Sequence, residues 1–270
     1  MKNIITSALF AVILGLNACQ FGTESKKVKP DIFKDTLVYS YQNIHERAPD
    51  CGNKADSACT VVSIKYPVFE KMPMLSDTIV KKLAQLGIMN DRKADTSLAL
   101  VAKKFIQSYV DFKKTDKRSQ MFFTMESYAK VLAQDSSLVA LEYGGYNYQG
   151  GAHGGSFTGF INWNPKTGKQ LELKDIIAEG KYPELSKIAE GIFRKSEKLS
   201  DTSSLARDYF FKDNKFALNE NYSLTPTGLR FVYNQYEIKP YAAGQTELLV
   251  PYSSIKNILR PHTAISQYVK

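Results

Sequence analysis

The sequence predicts an α+β fold: mainly antiparallel sheet with packed helices, in two subdomains. Three observations carry this. Residues 138–148 and 157–163 are rich in β-branched and aromatic side chains and are bounded by turn signals, as strands are. Two stretches between residues 76 and 112 place apolar residues on one helical face. Strands and helices come in blocks rather than in strict alternation, which points away from a parallel sheet.

The chain opens with Met1-Lys2-Asn3, a mostly apolar run over residues 4–16, then Leu16-Asn17-Ala18-Cys19. The run has the length of a secretory apolar region and is too short to span a bilayer. Its end resembles a bacterial lipobox, in which the cysteine is acylated and becomes the mature N-terminus. Cys19 is therefore the expected lipidation site, residues 1–18 the signal peptide and residues 19–34 a polar tether. Several acyl chains on Cys19 would anchor the protein firmly. The expected location is the cell envelope, lipid-anchored, with the outer membrane favoured and the protein facing the periplasm or the surface. Gln20 is not the aspartate that resembles an inner-membrane retention signal.

The 270 residues carry a formal charge of +9, and loss of Lys2 with the signal leaves +8. The composition is globular, and the mature chain is long enough for one large core or two small ones. The basic residues are scattered, which suits solvated faces. Nucleic acid is not an expected partner of an exported chain. After Cys19, only Cys51 and Cys59 remain, around a polar loop, and in an oxidising compartment they read as a disulfide. Two cysteines without a paired histidine motif are too few for a structural metal.

Residues 36–47 and 59–70 read as strands flanking the cysteine loop. Ser76 or Asp77 is expected to cap a first helix with Ile79, Val80, Leu83 and Leu86 on one face. Asp95 or Thr96 is expected to open a second, with Leu98, Val101, Phe105, Tyr109 and Phe112. Strands follow at 121–125, 127–133 and 138–148. The turn Gly150-Gly151-Ala152-His153-Gly154-Gly155 leads into a strand over 157–163. A short extended piece at 171–173 precedes helices at 174–178 and 182–198. Residues 203–212 form a helix or loop, and 222–224, 229–233 and 246–252 a second β region.

No catalytic residue, metal site or cofactor emerges. His45, His153 and His262 are not at metal-ligand spacing. Thr158 stands where a nucleophile elbow after Ser156 needs glycine. Dinucleotide and phosphate-loop motifs are missing. A carboxylate pair for glycoside cleavage needs only to meet in space, and Glu142, Glu237 and Asp175 are the candidates for that alternative. The tyrosines suit either sheet packing or a binding face.

Two segments carry a family likeness. One is Tyr148-Gln149-Gly150-Gly151-Ala152-His153-Gly154. The other runs from Tyr222 to Tyr233, through Tyr236-Glu237-Ile238-Lys239-Pro240-Tyr241-Ala242-Ala243-Gly244, to Val250-Pro251-Tyr252. In this order they resemble the paired extracellular domains of RsiV-like anti-sigma factors. The N-terminal module also precedes the catalytic domain of PdaC-type peptidoglycan deacetylases. The resemblance implies an N-terminal α+β subdomain over 35–168 of the deacetylase-associated type, and a C-terminal RsiV-like one over 169–262. It implies a non-enzymatic envelope lipoprotein that binds or senses a lysozyme-like protein or a cell-wall glycan. The expected binding residues are Tyr148, His153, Tyr236, Glu237 and Tyr241. The alternative is a cell-wall glycan hydrolase using the carboxylates above. Lysozymes are commonly basic, so a +8 chain repels them at long range, and the ligand class stays open between protein and glycan.

Overall fold

The computed structural model describes residues 37–86 and 97–269. Cys19 and the stretches expected to be a signal peptide and a tether lie outside these residues. The described residues fall within one compact unit. Among the described residues the fold is α+β, with a six-stranded and a three-stranded sheet.

The six-stranded sheet holds β1 (Ser40–Arg47), β2 (Val61–Val68), β3 (Thr124–Gln134), β4 (Val139–Tyr148), β5 (Gly155–Asn164) and β6 (Lys169–Gln170), neighbours in that order. Every pairing is antiparallel except β2 with β3. A parallel pair needs a long crossover. Here it contains α1 (Pro73–Leu86) and α2 (Leu98–Thr115). The expected strands at 121–125 and 127–133 give way to one strand, β3, which begins only at Thr124 and whose register slips between Val131 and Ala133; residues 121–123 are not strand.

Helix α1 begins at Pro73, not at Ser76 or Asp77. Proline suits the first helical position, where its missing N–H is no loss. Ser76 instead binds the Phe69 backbone, accepting from its N–H at 2.9 Å and donating to its carbonyl at 3.3 Å. Ser97 caps α2, accepting from the Leu100 N–H at 3.2 Å. Asp95 and Thr96 lie outside the described residues. Leu75, Ile79 and Leu83 of α1, with Leu98, Val101, Phe105 and Tyr109 of α2, pack on one face of the sheet against Val62, Ile64, Met125, Leu141, Ile161 and Trp163. Cys51 and Cys59 are bonded, Cα atoms 5.3 Å apart, beside this core.

The second core gathers α3 (Leu173–Ile176), α4 (Tyr182–Ser196), β7 (Tyr222–Leu224), β8 (Gly228–Tyr233), β9 (Thr246–Pro251) and α5 (Tyr252–Ile255). Residues 203–212 are loop and turns. Strand residues alternate faces. Val139 and Leu141 therefore enter the first core, while Leu138 and Ala140 enter the second. Asn162 joins the two sheets as a backbone unit would. Its Nδ2 donates to the Tyr222 carbonyl and its Oδ1 accepts from the Leu224 N–H, each at 2.8 Å. Buried Asp135 ties down the C-terminal tail, accepting from Gln267 at 2.6 Å and from the Tyr268 hydroxyl at 3.1 Å.

Candidate functional site

Two loops meet at the surface. The first connects β4 to β5. Gly150 and Gly151 hold φ of 98° and 88°, a region where a side chain is strained. The Tyr148 hydroxyl donates to the Gly151 carbonyl at 3.3 Å and closes the turn. Gly154 lies against the Tyr146 ring, where any Cβ would sit 2.4 Å from ring atoms. The second loop connects β8 to β9. Glu237 fixes it: one carboxylate oxygen accepts from the Asn234 N–H and the other from Asn219, both at 2.7 Å. Tyr236 takes φ of 65° and stands 59% exposed. A non-glycine residue in that region is uncommon, and such positions gather at ligand-binding sites.

His153 joins the loops. Its ring stacks on Tyr241, centroids 3.7 Å apart and planes 17° from parallel. Its Nδ1 lies 3.0 Å from the Gly154 carbonyl, which can only accept, so Nδ1 carries the proton. In the neutral ring Nε2 is then the acceptor, and the Tyr236 hydroxyl, 3.3 Å away, donates to it. Amide side chains fasten the loops beneath. Gln235 accepts from the Ser156 N–H at 3.1 Å, and Asn234 from the Thr158 N–H at 2.8 Å. Asn221 and Asn234 both donate to the Thr158 carbonyl.

Of the five residues expected to bind ligand, the structure brings together His153, Tyr236 and Tyr241. Tyr148 closes its own loop, and Glu237 ties its loop to Asn219, ahead of β7. Nothing in the sequence marks Asn221, Asn234, Gln235 or Gln245, whose amide bonds Asn234 and the Thr158 hydroxyl, because in loop segments such residues look like ordinary turn formers.

The three candidate acids each have a structural use. Asp175 accepts from the Glu172 N–H at 2.8 Å at the start of α3. Glu237 holds its loop. Glu142 is 7% exposed and takes the Tyr128 hydroxyl and the Lys130 ammonium, each at 2.8 Å, with Arg230 at 3.6 Å. Burial pushes the Glu142 carboxyl up, but the bonds from Lys130 and Tyr128 outweigh it and hold it below the ordinary value. A general acid of glycoside cleavage needs the opposite shift. Arg230 also pairs with Glu247 and lies over the Phe160 ring at 5.2 Å, so the cluster ties β3 and β4 to β8 and β9.

Two family models match successive stretches of the chain. Residues 53–156 match Deacetylase PdaC, and residues 174–253 match the Protein of unknown function DUF3298. The chain thus carries a PdaC-type segment followed by a DUF3298-type one. It is similar to the peptidoglycan-N-acetylmuramic acid deacetylase PdaC of Bacillus subtilis (strain 168), 24% identical over 204 residues. That alignment takes in 73% of this chain and 38% of the relative, so the chain spans well under half of the enzyme's length. Two solved structures share the fold. A DUF3298 family protein from Pseudomonas aeruginosa PAO1 aligns with TM-score 0.67 and 24% identity, over 84% of this chain and 96% of that one. A member of the same family from Bacteroides fragilis NCTC 9343 aligns with TM-score 0.66 and 22% identity, over 87% and 98%.

Proposed function

We propose that this protein is a binding module of the bacterial cell envelope, held to a membrane through acylated Cys19, and that it engages its ligand without chemistry. The contact face is the joined pair of loops that carries His153, Tyr236 and Tyr241. The observation that carries the reading is the stack of His153 on Tyr241 beside the exposed, positive-φ Tyr236. It unites two loops some eighty residues apart, one before and one within the DUF3298-type segment, at an exposed surface. Aromatic rings with polar tips, fixed on rigid hairpins, suit recognition at low entropic cost. The similarity to a peptidoglycan deacetylase supports the envelope setting, and the likeness to RsiV-like ectodomains supports a sensing or binding role. The structural commitments of Glu142, Glu237 and Asp175 weigh against the hydrolase alternative. The test is incubation of the purified protein with peptidoglycan sacculi and, separately, with lysozyme, scoring both retention and soluble products. Retention without products, weakened by Tyr236→Ala, supports the reading. Release of sugar or acetate would overturn it.

A further inference from the structure

We propose that the open half of the six-stranded sheet is a track for an extended polysaccharide, continuous with the His153–Tyr236–Tyr241 face. This deepens the binding reading above and rests on it.

One face of the sheet is filled by α1 and α2. Among the described residues, the opposite face is covered by the second core around Ala140, Phe160 and Asn162, by Arg230 at Glu142 and by Gln245 at the Thr158 side chain, and Asn43, His45, Ser63, Lys65 and Glu126 stand exposed. Side chains of paired residues share a face, so register alone lays out the rest. His45, Ser63, Glu126, Tyr146 and Ser156 form one row across β1 to β5. Beside it, Asn43, Lys65, Tyr128, Gly144 and Thr158 form a second. Both rows end at the second loop, where Ser156 binds Gln235 and Thr158 binds Asn234. At strand spacings of about 4.8 Å, the rows are roughly 19 Å long, enough for several sugar rings.

The chemistry of the rows selects the occupant. Neither row contains an aliphatic side chain, whereas the core of a stable protein interface is apolar and poor in charge. Nor do the rows suit a polyanion such as nucleic acid: Glu126 balances Lys65, and Glu142 takes up Lys130. What remains is hydroxyl, amide, imidazole, carboxylate and ammonium groups, near charge balance, spaced between tyrosine rings. Tyr146 is 37% exposed, and at the far border Tyr41 is 40% exposed with the Lys65 ammonium 5.1 Å from its ring. A polysaccharide offers the matching pattern, with apolar ring faces to stack and hydroxyl or amide edges to bond.

The experiment uses the full-length protein in detergent micelles. It is titrated calorimetrically with peptide-free glycan strands of peptidoglycan, fractionated to disaccharide and hexasaccharide. The expected result is that the hexasaccharide binds at least about tenfold tighter than the disaccharide, as one added contact of ordinary strength would give. Asn43→Ala and Lys65→Ala, both at exposed positions, should remove that gain with melting temperatures unchanged. Tyr236→Ala should weaken both ligands. A gain that survives Asn43→Ala and Lys65→Ala overturns the track while leaving the loop face standing. Hexasaccharide binding that responds to Lys65→Ala and not to Tyr236→Ala keeps the track and overturns the loop face. Failure of the hexasaccharide to bind the wild type overturns the track, and lysozyme binding sensitive to Tyr236→Ala would then assign the face to a protein.

Discussion

The His153 imidazole lies flat on the Tyr241 ring at 3.7 Å. The contact fixes the loop after β4 against the loop after β8, so the two loops present one surface.

Gly151→Val should destabilise the protein more than His153→Ala. At Gly151 an added Cβ meets no atom within 4 Å, so the cost comes wholly from φ of 88°. That strain is about 1–3 kcal/mol. His153→Ala removes an exposed ring stack, worth about 0.5–1.5 kcal/mol, and the bonds to Gly154 and Tyr236, which lie at the surface where water takes their place. Thermal melts rank the two, and a larger loss for His153→Ala would contradict the turn argument.

Glu142→Gln should cost about 1.5–3 kcal/mol near neutral pH, the range for hydrogen bonds to a charged group. Because the folded-state carboxyl value is depressed, its contribution is complete above the unfolded carboxylate value and fades as pH falls through the lower folded one. The stability gap between wild type and variant should therefore narrow on acidification. A gap that is constant from neutral pH down through the carboxylate range would show that the charge of Glu142 does not matter.

Reducing the Cys51–Cys59 bond, or replacing both residues by serine, should lower stability by up to about 2.5 kcal/mol, the loop-closure cost for so short a loop. Denaturant melts with and without reductant measure it. Two freely alkylated thiols in protein taken from its native compartment would contradict the bond itself.

Radiolabelled palmitate should enter the wild type and not Cys19→Ala. Equal labelling of both would remove the lipid anchor from the account.

Much of the fold is legible in the sequence because its strands and helices carry strong periodic patterns, as in Val61–Val68 and Leu98–Thr115. The parallel pairing of β2 with β3 is not, since side-chain alternation is the same in either direction and only the α1–α2 crossover decides it. The early start of α1 follows from Pro73, a residue that suits a first helical turn as well as a loop. His153, Tyr236 and Tyr241 were legible as members of two unusual segments. Glu237 was legible as unusual but not in its role, because its partner Asn219 lies on the far side of β7 and β8. The Glu142 cluster needs β3, β4, β8 and β9 at once, and one-dimensional spacing carries no trace of that meeting.

The most direct test of the central claim is a map of amide chemical-shift changes in the isotope-labelled protein as soluble peptidoglycan fragments are added. Changes should centre on residues 150–156 and 234–245, with His153→Ala and Tyr241→Ala weakening binding. Changes confined elsewhere, for instance to the groove beside Tyr182 and Arg260, would contradict the proposed binding face.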